Sequence, residues 1–537
     1  MAQLAATGAN SIRTWGVEGA DAILDEAHAL GLTVTIGIWL GHERHGFDYG
    51  DEAQVAEQMA RAKAAVLAHK DHPALLMWGI GNEMEGFGDG NDPTIWKAVN
   101  DIAAMVKELD PHHPTMTVTA EIGGDRVEWL HRRSPAIDVH GINSYGGAPS
   151  LPKRLAEAGA TKPYVLTEFG TVGSWESGKT AWGSPYEQTS TEKAAFFKLS
   201  YESAVLEQPG KALGAYVFTW GFKMEGTATW LGLLLPDGST IATVDAMTEY
   251  WTGEPPANRS PVVTPLRIDG PDQVKPGALI SVSTDVSDPE SKSLTARWTL
   301  RPESSEMLTG GDFRRDLPDI PEAIVEATLD DVRLRMPPEP GAYRLFYYVN
   351  DGAGKAATAS LPILVMGTPR PRLPIDVYTD GLEAMPWAPA GWMGNVDDLT
   401  LDGDYRASVH RGDRSVRLHY TGTFNWVGVA WQHPPNNWGD QEGGFDVTGA
   451  RALEVWARGE YGGEKVTFGV GIIGNDKPFA DSAIVKGKAV ELTDSWTRYT
   501  VPLSRKDLSS IKTAFVITIS GRRTPVTVYL DDVRFVK

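Results

Sequence analysis

The chain has 537 residues, of which 42% are hydrophobic and 22% charged, a composition typical of globular protein throughout. This length is too great for one hydrophobic core and predicts about three domains. The formal net charge of −20 argues against a nucleic-acid partner, because phosphates would be repelled over most of the surface. The lack of cysteine excludes disulfides, thiolate metal sites and cysteine nucleophiles, but leaves the cellular compartment open.

The first ten residues resemble the last turns of a helix that ends at Gly8. The charged and then apolar segments of a signal peptide do not precede it in this sequence. No run of residues is long and apolar enough to cross a membrane. We therefore expect a soluble chain with no membrane partner.

Up to about residue 254, apolar strand patterns alternate with amphipathic helices, which predicts a parallel α/β fold. A length near 250 residues and polar residues at the carboxyl ends of strands favour a (β/α)8 TIM barrel over a doubly wound sheet. Seven strands are visible, at residues 11–15, 32–40, 74–81, 115–120, 138–145, 163–169 and 214–220. Since such a barrel has eight, we expect the first strand to be missing and the barrel to be open, or repaired by intermolecular pairing.

Two all-β blocks follow the predicted barrel. Proline-rich linkers at residues 254–261 and 367–374 separate them from it and from each other. Alternating strand patterns in 262–366 predict an immunoglobulin-like β-sandwich, and the longer block 375–537, rich in Trp and Gly, predicts a β jelly roll. The predicted domains are therefore 1–254, 262–366 and 375–537.

Two apolar strand patterns each run into a glutamate, Glu83 after residues 78–82 and Glu168 within residues 164–170. A carboxylate at the exit of a buried strand is costly unless it does chemistry. Hydrolysis of a glycosidic bond with retention needs one carboxylic acid and one carboxylate about 5–5.5 Å apart. The pair therefore indicates a glycosidase, and the alternative for each glutamate is a polar residue at the start of a solvated loop.

With these residues, the barrel resembles the retaining glycoside hydrolases of the large TIM-barrel clan, and is most similar to families 2 and 5. The resemblance covers about residues 1–252 and implies that Glu83 is the acid/base and Glu168 the nucleophile. It implies no cofactor for catalysis and an extracellular or periplasmic location. It also implies a set of substrate-binding side chains around the two glutamates: Asn82 on the sugar 2-hydroxyl, Arg13 and Tyr145 against Glu168, Asn143 beside them, and Trp220 as the floor of the subsite where the bond breaks.

The segment that follows the second visible strand carries His42 and His45. Its spacing is not the helical His-Glu-x-x-His pattern of zinc hydrolases, which disfavours a metal site. We expect both histidines to contact sugar at the rim of the barrel, together with Trp39, whose flat indole suits a sugar ring.

The C-terminal block ends in residues 526–535, which resemble the last strand of carbohydrate-binding jelly rolls. Such domains often hold a structural calcium with acids from the first and last strands, which implies Asp380 and Asp532 as ligands; a surface acid pair is the alternative. Trp426, Trp431 and Trp438 lie close together in sequence and predict a sugar-stacking face, although a purely structural sandwich is also consistent with them.

The predicted function is a retaining β-glycoside hydrolase that acts on a β-linked polysaccharide or oligosaccharide, with β-glucan favoured, through a covalent glycosyl-enzyme intermediate. A transglycosylase would share that intermediate and pass it to a sugar. A non-catalytic glycan-binding protein with a remnant barrel is the alternative of another class. The sequence leaves the sugar, the linkage, endo or exo action and the oligomeric state open.

Overall fold

The computed structural model describes residues 1–43, 46–86, 88–290, 293–303, 317–368, 371, 373–382 and 385–537. Its first part is a curved parallel sheet with a helix after each strand. The strands are β1 Ser11–Arg13, β2 Thr33–Ile38, β3 Leu75–Asn82, β4 Thr115–Ala120, β5 Val139–Asn143, β6 Tyr164–Phe169 and β7 Ala212–Val217. The helices are α1 Ala2–Ala5, α2 Ala20–Ala29, α3 Glu52–His69, α4 Pro93–Leu109, α5 Arg126–Arg133, α6 Leu151–Glu157, α7 Ser190–Tyr201 and α8 Ala242–Thr252.

Side-chain caps fix where several of these helices begin, and so fix the length of the loops between strand and helix. Asp51 accepts hydrogen bonds from the backbone N–H groups of Ala53 and Gln54 at the start of α3. Thr189 and Glu192 form a reciprocal capping box at the start of α7. These loops lie at the carboxyl ends of the strands, where the two glutamates are.

The core of this part lies between the inner strands and the helices. Ile36, Trp78, Ile102 and Val106 are at most 1% exposed and pack in one cluster, and the Trp78 Nε1–H donates to Asp110 at 2.8 Å. Burial of side chains of this size stabilises the fold by about 1.5–3 kcal/mol each.

The barrel is open at one seam. Within the described residues seven strands are hydrogen-bonded in the order β1 to β7, and β1 is not paired with β7. The Tyr216 hydroxyl bridges this seam instead, at 2.9 Å from Ser11 Oγ and 2.7 Å from Thr35 Oγ1. A cavity of about 180 Å³ lies there, lined by Arg13, Trp220 and other seam residues. The prediction of a TIM barrel with seven visible strands and an open edge is confirmed; intermolecular repair stays a prediction.

The second part is a β-sandwich, as predicted. The strands are β8 Val262–Val263, β9 Arg267–Ile268, β10 Gln273–Val274, β11 Leu279–Ser283, β12 Val286–Ser287, β13 Thr295–Pro302, β14 Ile324–Ala327, β15 Asp331–Arg335, β16 Gly341–Asn350 and β17 Ala356–Val365. Two four-stranded sheets, β10-β17-β16-β13 and β14-β15-β11-β9, enclose a core that includes Leu300, Leu345 and Tyr347, and β8 pairs with β12 beside them.

The third part is a second sandwich. The strands are β18 Ile375–Tyr378, β19 Ala388–Gly394, β20 Leu399–Tyr405, β21 Ser415–Tyr420, β22 Trp426–Gln432, β23 Ala452–Gly459, β24 Lys465–Val470, β25 Val485–Glu491, β26 Thr497–Pro502, β27 Thr513–Ser520 and β28 Val526–Val536. A six-stranded sheet, β20-β21-β28-β23-β26 with β18 paired to β28, faces the five-stranded sheet β19-β22-β27-β24-β25.

One tryptophan predicted for a sugar-stacking face lies in the core of this sandwich. Trp431 is fully buried against Phe515, because alternate residues of β22 point inward. The assignment of Trp431 to a binding face is therefore wrong. Trp426, at the start of the same strand, is half exposed.

None of the helices in the described ranges has both the length and the apolar character needed to cross a bilayer.

Candidate active site

Glu83 lies at the carboxyl end of β3, where the chain turns away from the sheet. Its backbone is left-handed, with φ of 52°, and its N–H donates to the carbonyl of Val118 in β4 at 2.8 Å. Burial, and then the negative charge of Glu168, raises the pKa of the Glu83 carboxyl to about 7, against a smaller opposing effect of a hydrogen bond from Asn143. A substantial fraction of Glu83 therefore keeps its proton at neutral pH.

Glu168, near the end of β6, is surrounded by hydrogen-bond donors. Its Oε1 accepts from Arg13 Nη1 at 3.1 Å and from Trp15 Nε1 at 2.8 Å, and its Oε2 accepts from the Tyr145 hydroxyl at 2.9 Å. Both oxygens act as acceptors, which is the role of an ionised carboxylate. The two glutamates thus have unequal environments.

Two asparagines connect the glutamates. The Asn82 Oδ1 accepts from Arg13 Nη2 at 2.6 Å and from Asn143 Nδ2 at 3.2 Å. The same Asn143 amide donates to Glu83 Oε1 at 2.7 Å, and its Oδ1 accepts from Thr167 at 2.8 Å, which fixes the orientation of the amide. Five of the predicted site residues, Arg13, Asn82, Glu83, Asn143 and Glu168, therefore form one hydrogen-bonded group.

Tyr145 is buried beside this group, as predicted. Burial, and then the charge of Glu168, raises the pKa of its hydroxyl well above the usual range, so the hydroxyl stays protonated and donates. Trp175 and Phe218 stand edge-on to its ring, with centroids 5.3 and 5.9 Å away. Phe218 makes the same contact with Trp15, so aromatic rings enclose Glu168 on its Trp15 and Tyr145 sides.

Trp220 is the residue predicted as the floor of the subsite where the bond breaks. It follows the end of β7 and packs with a hydrophobic cluster that includes Phe169, Leu234 and Met247, and it also lines the seam cavity. Phe218, two residues earlier, is the ring that contacts Trp15 and Tyr145. The floor role of Trp220 stays a prediction.

The rim residues are only partly described. Trp39 is half exposed and stacks on buried His42, with centroids 4.9 Å apart and planes 8° from parallel. His45 lies outside the described residues. Trp39, Trp15 and Trp175 are 46%, 39% and 54% exposed, so three indoles with accessible faces lie on loops at the carboxyl ends of the strands.

The sequence patterns did not identify Trp15, Phe218 or the support of Glu83 by Glu85. The spacing of Arg13 and Trp15 could have identified Trp15, because residues two apart in a strand share a face. Glu85 is buried and accepts from Arg126 Nε at 2.9 Å and from the backbone N–H of Ala120 at 2.7 Å. This ion pair fixes the turn that presents Glu83, and no local pattern in the sequence predicts the ion pair.

The predicted calcium ligands have other partners. The Asp380 Oδ1 accepts from the backbone N–H groups of Asp413 and Arg414 at 2.7 and 2.8 Å. Asp532 accepts from Arg534 at 2.9 Å and lies 3.4 Å from His410. The Arg534 guanidinium beside Asp532 does not fit a calcium site, and no group of three or more potential metal ligands occurs among the described side chains. The calcium site stays a prediction without structural support.

Two parts of the chain match known protein families. Residues 21–187 match the family described as glycosyl hydrolases family 2, TIM barrel domain, and residues 375–537 match carbohydrate binding domain 30. The chain thus carries a glycoside hydrolase barrel of the family 2 type followed, at its C-terminal end, by a carbohydrate-binding domain. The predicted resemblance is confirmed. No curated relative matches the sequence.

Solved structures of glycoside hydrolases resemble the fold at low identity. An endo-β-1,4-mannanase from Thermotoga petrophila shares 15% identity, with a TM-score of 0.34 over 68% of this chain and 93% of that one. A β-D-glucuronidase from Dictyoglomus thermophilum shares 18%, with a TM-score of 0.38 over 47% of this chain and 46% of that one. A GH5_18 protein from Bifidobacterium longum subsp. infantis shares 14% identity, with a TM-score of 0.35 over 47% of this chain and 73% of that one. The chain spans less than half of the glucuronidase.

Proposed function

We propose that this protein is a retaining β-glycoside hydrolase that cleaves a β-linked polysaccharide or oligosaccharide, with β-glucan as the favoured substrate. The observation that carries the proposal is the unequal pair of glutamates. Glu83 has a pKa raised to about 7 and can donate a proton, whereas Glu168 accepts hydrogen bonds from Arg13, Trp15 and Tyr145. Two carboxyl groups in such different environments suit an acid and a nucleophile.

In the first step, a Glu168 oxygen attacks the anomeric carbon while the bond from that carbon to the leaving oxygen breaks. Glu83 gives its proton to the leaving oxygen, which departs as a neutral hydroxyl, and the sugar remains as an ester of Glu168. Arg13, Trp15 and Tyr145 hold the attacking carboxylate in place. The Asn82 amide oxygen is linked to Glu168 through Arg13 and to Glu83 through Asn143, and the Asn82 side chain suits a hydrogen bond to the 2-hydroxyl of the sugar.

In the second step, water cleaves this ester. The charge of Glu168, the second largest cause of the raised pKa of Glu83, disappears when the ester forms, so the pKa of Glu83 falls and Glu83 becomes a base. It takes a proton from water, whose oxygen attacks the anomeric carbon and releases the Glu168 carboxylate. Two inversions give a product with the original configuration.

The C-terminal domain supports a polymeric substrate. It belongs to a carbohydrate-binding family, and Trp392 on β19 and Trp426 on the adjacent strand β22 expose 43% and 49% of their surface. Indole faces of this kind stack on sugar rings. Together with the exposed indoles at the barrel rim, they favour an extended β-glycan as partner and an extracellular or periplasmic site of action.

Two glutamate variants test the mechanism. Glu168→Ala should abolish turnover of every substrate, because the ester cannot form. Glu83→Ala should still react with aryl glycosides that have very good leaving groups, then stall, and added azide should restore turnover with a retained β-glycosyl azide as product. Glu121→Gln is the matched control, because Glu121 also follows a barrel strand but is paired with Arg154 at 2.6 Å. An azide product of inverted configuration would overturn the assignment.

Product analysis on β-glucans, mannans, xylans and galactans tests the substrate. Shorter oligosaccharides of retained configuration from a β-glucan are expected. Products longer than the substrate would indicate a transglycosylase. Binding to glycan without any turnover of the whole panel would indicate the non-catalytic alternative.

A further inference from the structure

The first β-sandwich is joined to the barrel by buried polar groups as well as by apolar contact. Leu235 and Ile241 of the barrel pack with Phe346, Tyr348 and Ala356 of the sandwich in one cluster. Two backbone hydrogen bonds also join the domains. The Thr240 N–H donates to the Gly354 carbonyl at 3.0 Å, and the Ala356 N–H donates to the Thr240 carbonyl at 2.9 Å. The sandwich therefore packs directly against the end of the barrel domain.

Glu187, in the segment before α7, is the centre of a buried hydrogen-bond network at this contact. Its side chain is 2% exposed, and its two oxygens accept from four side chains. Lys193 Nζ and the Thr229 hydroxyl donate to Oε1, each at 2.7 Å, and the hydroxyls of Thr227 and Ser360 donate to Oε2 at 2.8 and 3.0 Å. Lys193 lies on α7, the two threonines on one barrel loop, and Ser360 on β17 of the sandwich.

Arg344 of the sandwich extends this network. Its side chain is 1% exposed, its Nη1 donates to Ser360 Oγ at 3.0 Å, and its Nη2 donates to the carbonyl of Pro185 at 2.6 Å. Its Nε donates to Glu303 at 2.8 Å. Ser360 is thus held between an arginine of its own domain and the Glu187 carboxylate of the barrel.

The two threonines belong to residues 218–231, which we call the active-site loop. Its ends are joined by a bond from the Thr219 N–H to the Leu231 carbonyl at 3.1 Å. At one end Phe218 contacts Trp15 and Tyr145, and at the other Trp230 and Leu231 pack on Tyr145. The loop therefore supports two of the donors that hold Glu168.

We propose that the sandwich is a positioning domain of the active site, and that Ser360 and Glu187 are positioning residues that fix the active-site loop through Thr227 and Thr229. The consequence for catalysis rests on the proposed function; the order of the loop does not. An apolar contact alone would join the domains, whereas a network of buried charges is costly to form and gives one defined geometry. Here that geometry is the position of the loop.

Amide hydrogen exchange of the full-length protein without substrate tests this. Ser360→Ala removes the donor that the sandwich contributes to Glu187, and should speed exchange across 219–231 about fivefold, the effect of one lost hydrogen bond. Ser360→Thr keeps the hydroxyl and should restore slow exchange. Ser283→Ala, a half-buried serine on the other sheet, is the matched control and should leave the loop unchanged.

Turnover is the second measurement. For an aryl β-glycoside with a good leaving group, kcat of Ser360→Ala should fall about fivefold, and Ser360→Thr should recover it. If Ser360→Ala does not fold, Thr227→Val removes the same network from the side of the loop. Unchanged exchange in 219–231 with a lowered melting temperature would overturn the proposal and leave Ser360 with a structural role only. Inactive wild-type protein that still shows the exchange effect would overturn the proposed function alone.

Discussion

The proton on Glu83 is the feature of single residues that governs the expected chemistry. Burial and the nearby charge of Glu168 keep this carboxyl protonated up to pH about 7, while Glu168 has donors on both oxygens. A general acid works only while it carries its proton. The pH dependence of activity therefore reports directly on the environment of Glu83.

We expect kcat/KM on a glycan to fall above pH about 7, as Glu83 ionises. Asn143→Ala should move this basic limb to higher pH, because the Asn143 hydrogen bond lowers the pKa of Glu83. Initial rates across the pH range measure the basic limb of the wild-type protein and its shift in Asn143→Ala. An aryl glycoside that needs no proton is the control and should lack the limb. An unmoved limb in Asn143→Ala would contradict the assignment.

The same environment predicts a cost in stability. The pKa of Glu83 is raised from 4.5 to about 7, so the folded state holds its proton more tightly, and stability is lost as pH rises from about 4.5 to 7. Glu83→Gln removes this ionisation and should raise the free energy of unfolding at pH 8 by up to about 3 kcal/mol, and hardly at pH 4. Urea denaturation at the two pH values measures it. Glu128→Gln, an exposed control, should show no such difference.

At the scale of elements, side chains hold the seam between β1 and β7, whereas the inner strands are held together by backbone hydrogen bonds. Burial differs accordingly, since β1 and β7 contain no fully buried residue whereas β2 to β6 are largely buried. The seam matters for the site because Arg13 lies on β1 and Trp15 follows it. Stability of this edge therefore affects the donors of Glu168.

Tyr216→Phe should weaken the seam by about 1–2 kcal/mol, because it removes the hydroxyl that bonds Ser11 and Thr35. The free energy of unfolding by urea measures this effect. Tyr461→Phe is the control, since that ring is 79% exposed and its hydroxyl should contribute little. Equal stability of the two variants would mean that the bridge is not what holds β1 to β7.

At the scale of the whole molecule, the two β domains relate to the barrel differently. The first sandwich shares a buried hydrogen-bond network and an apolar cluster with the barrel. The C-terminal sandwich has its own large core and follows a proline-rich linker. We therefore expect the first to unfold with the barrel and the second to behave as an independent module.

Residues 375–537 should fold when expressed alone, with a cooperative thermal transition. In the full chain, Trp426→Ala should weaken retention on insoluble β-glucan while leaving hydrolysis of short soluble substrates nearly intact, because it removes a half-exposed indole face. Trp438→Ala tests the neighbouring loop in the same way. Pull-down with the insoluble polysaccharide measures retention, and unchanged retention in both variants would move the binding face elsewhere.

The sequence by itself determined the domain classes, the seven barrel strands and the position of both glutamates, because strand periodicity and proline-rich linkers are local patterns. It also placed Arg13, Asn82, Asn143 and Tyr145 at the carboxyl ends of strands, which a parallel barrel gathers at one face. The strand ends themselves differ by a few residues, as at β1, which stops at Arg13 rather than Trp15.

Only the tertiary structure decided which neighbours these residues have. Phe218 contacts Tyr145, Trp431 is core, and Ser360 reaches Glu187 across 173 positions of sequence. The physical reason is that a side chain's burial and its hydrogen-bond partners depend on elements packed against it from distant parts of the chain. Local spacing fixes which face a residue occupies, but the packing of that face determines what the residue does.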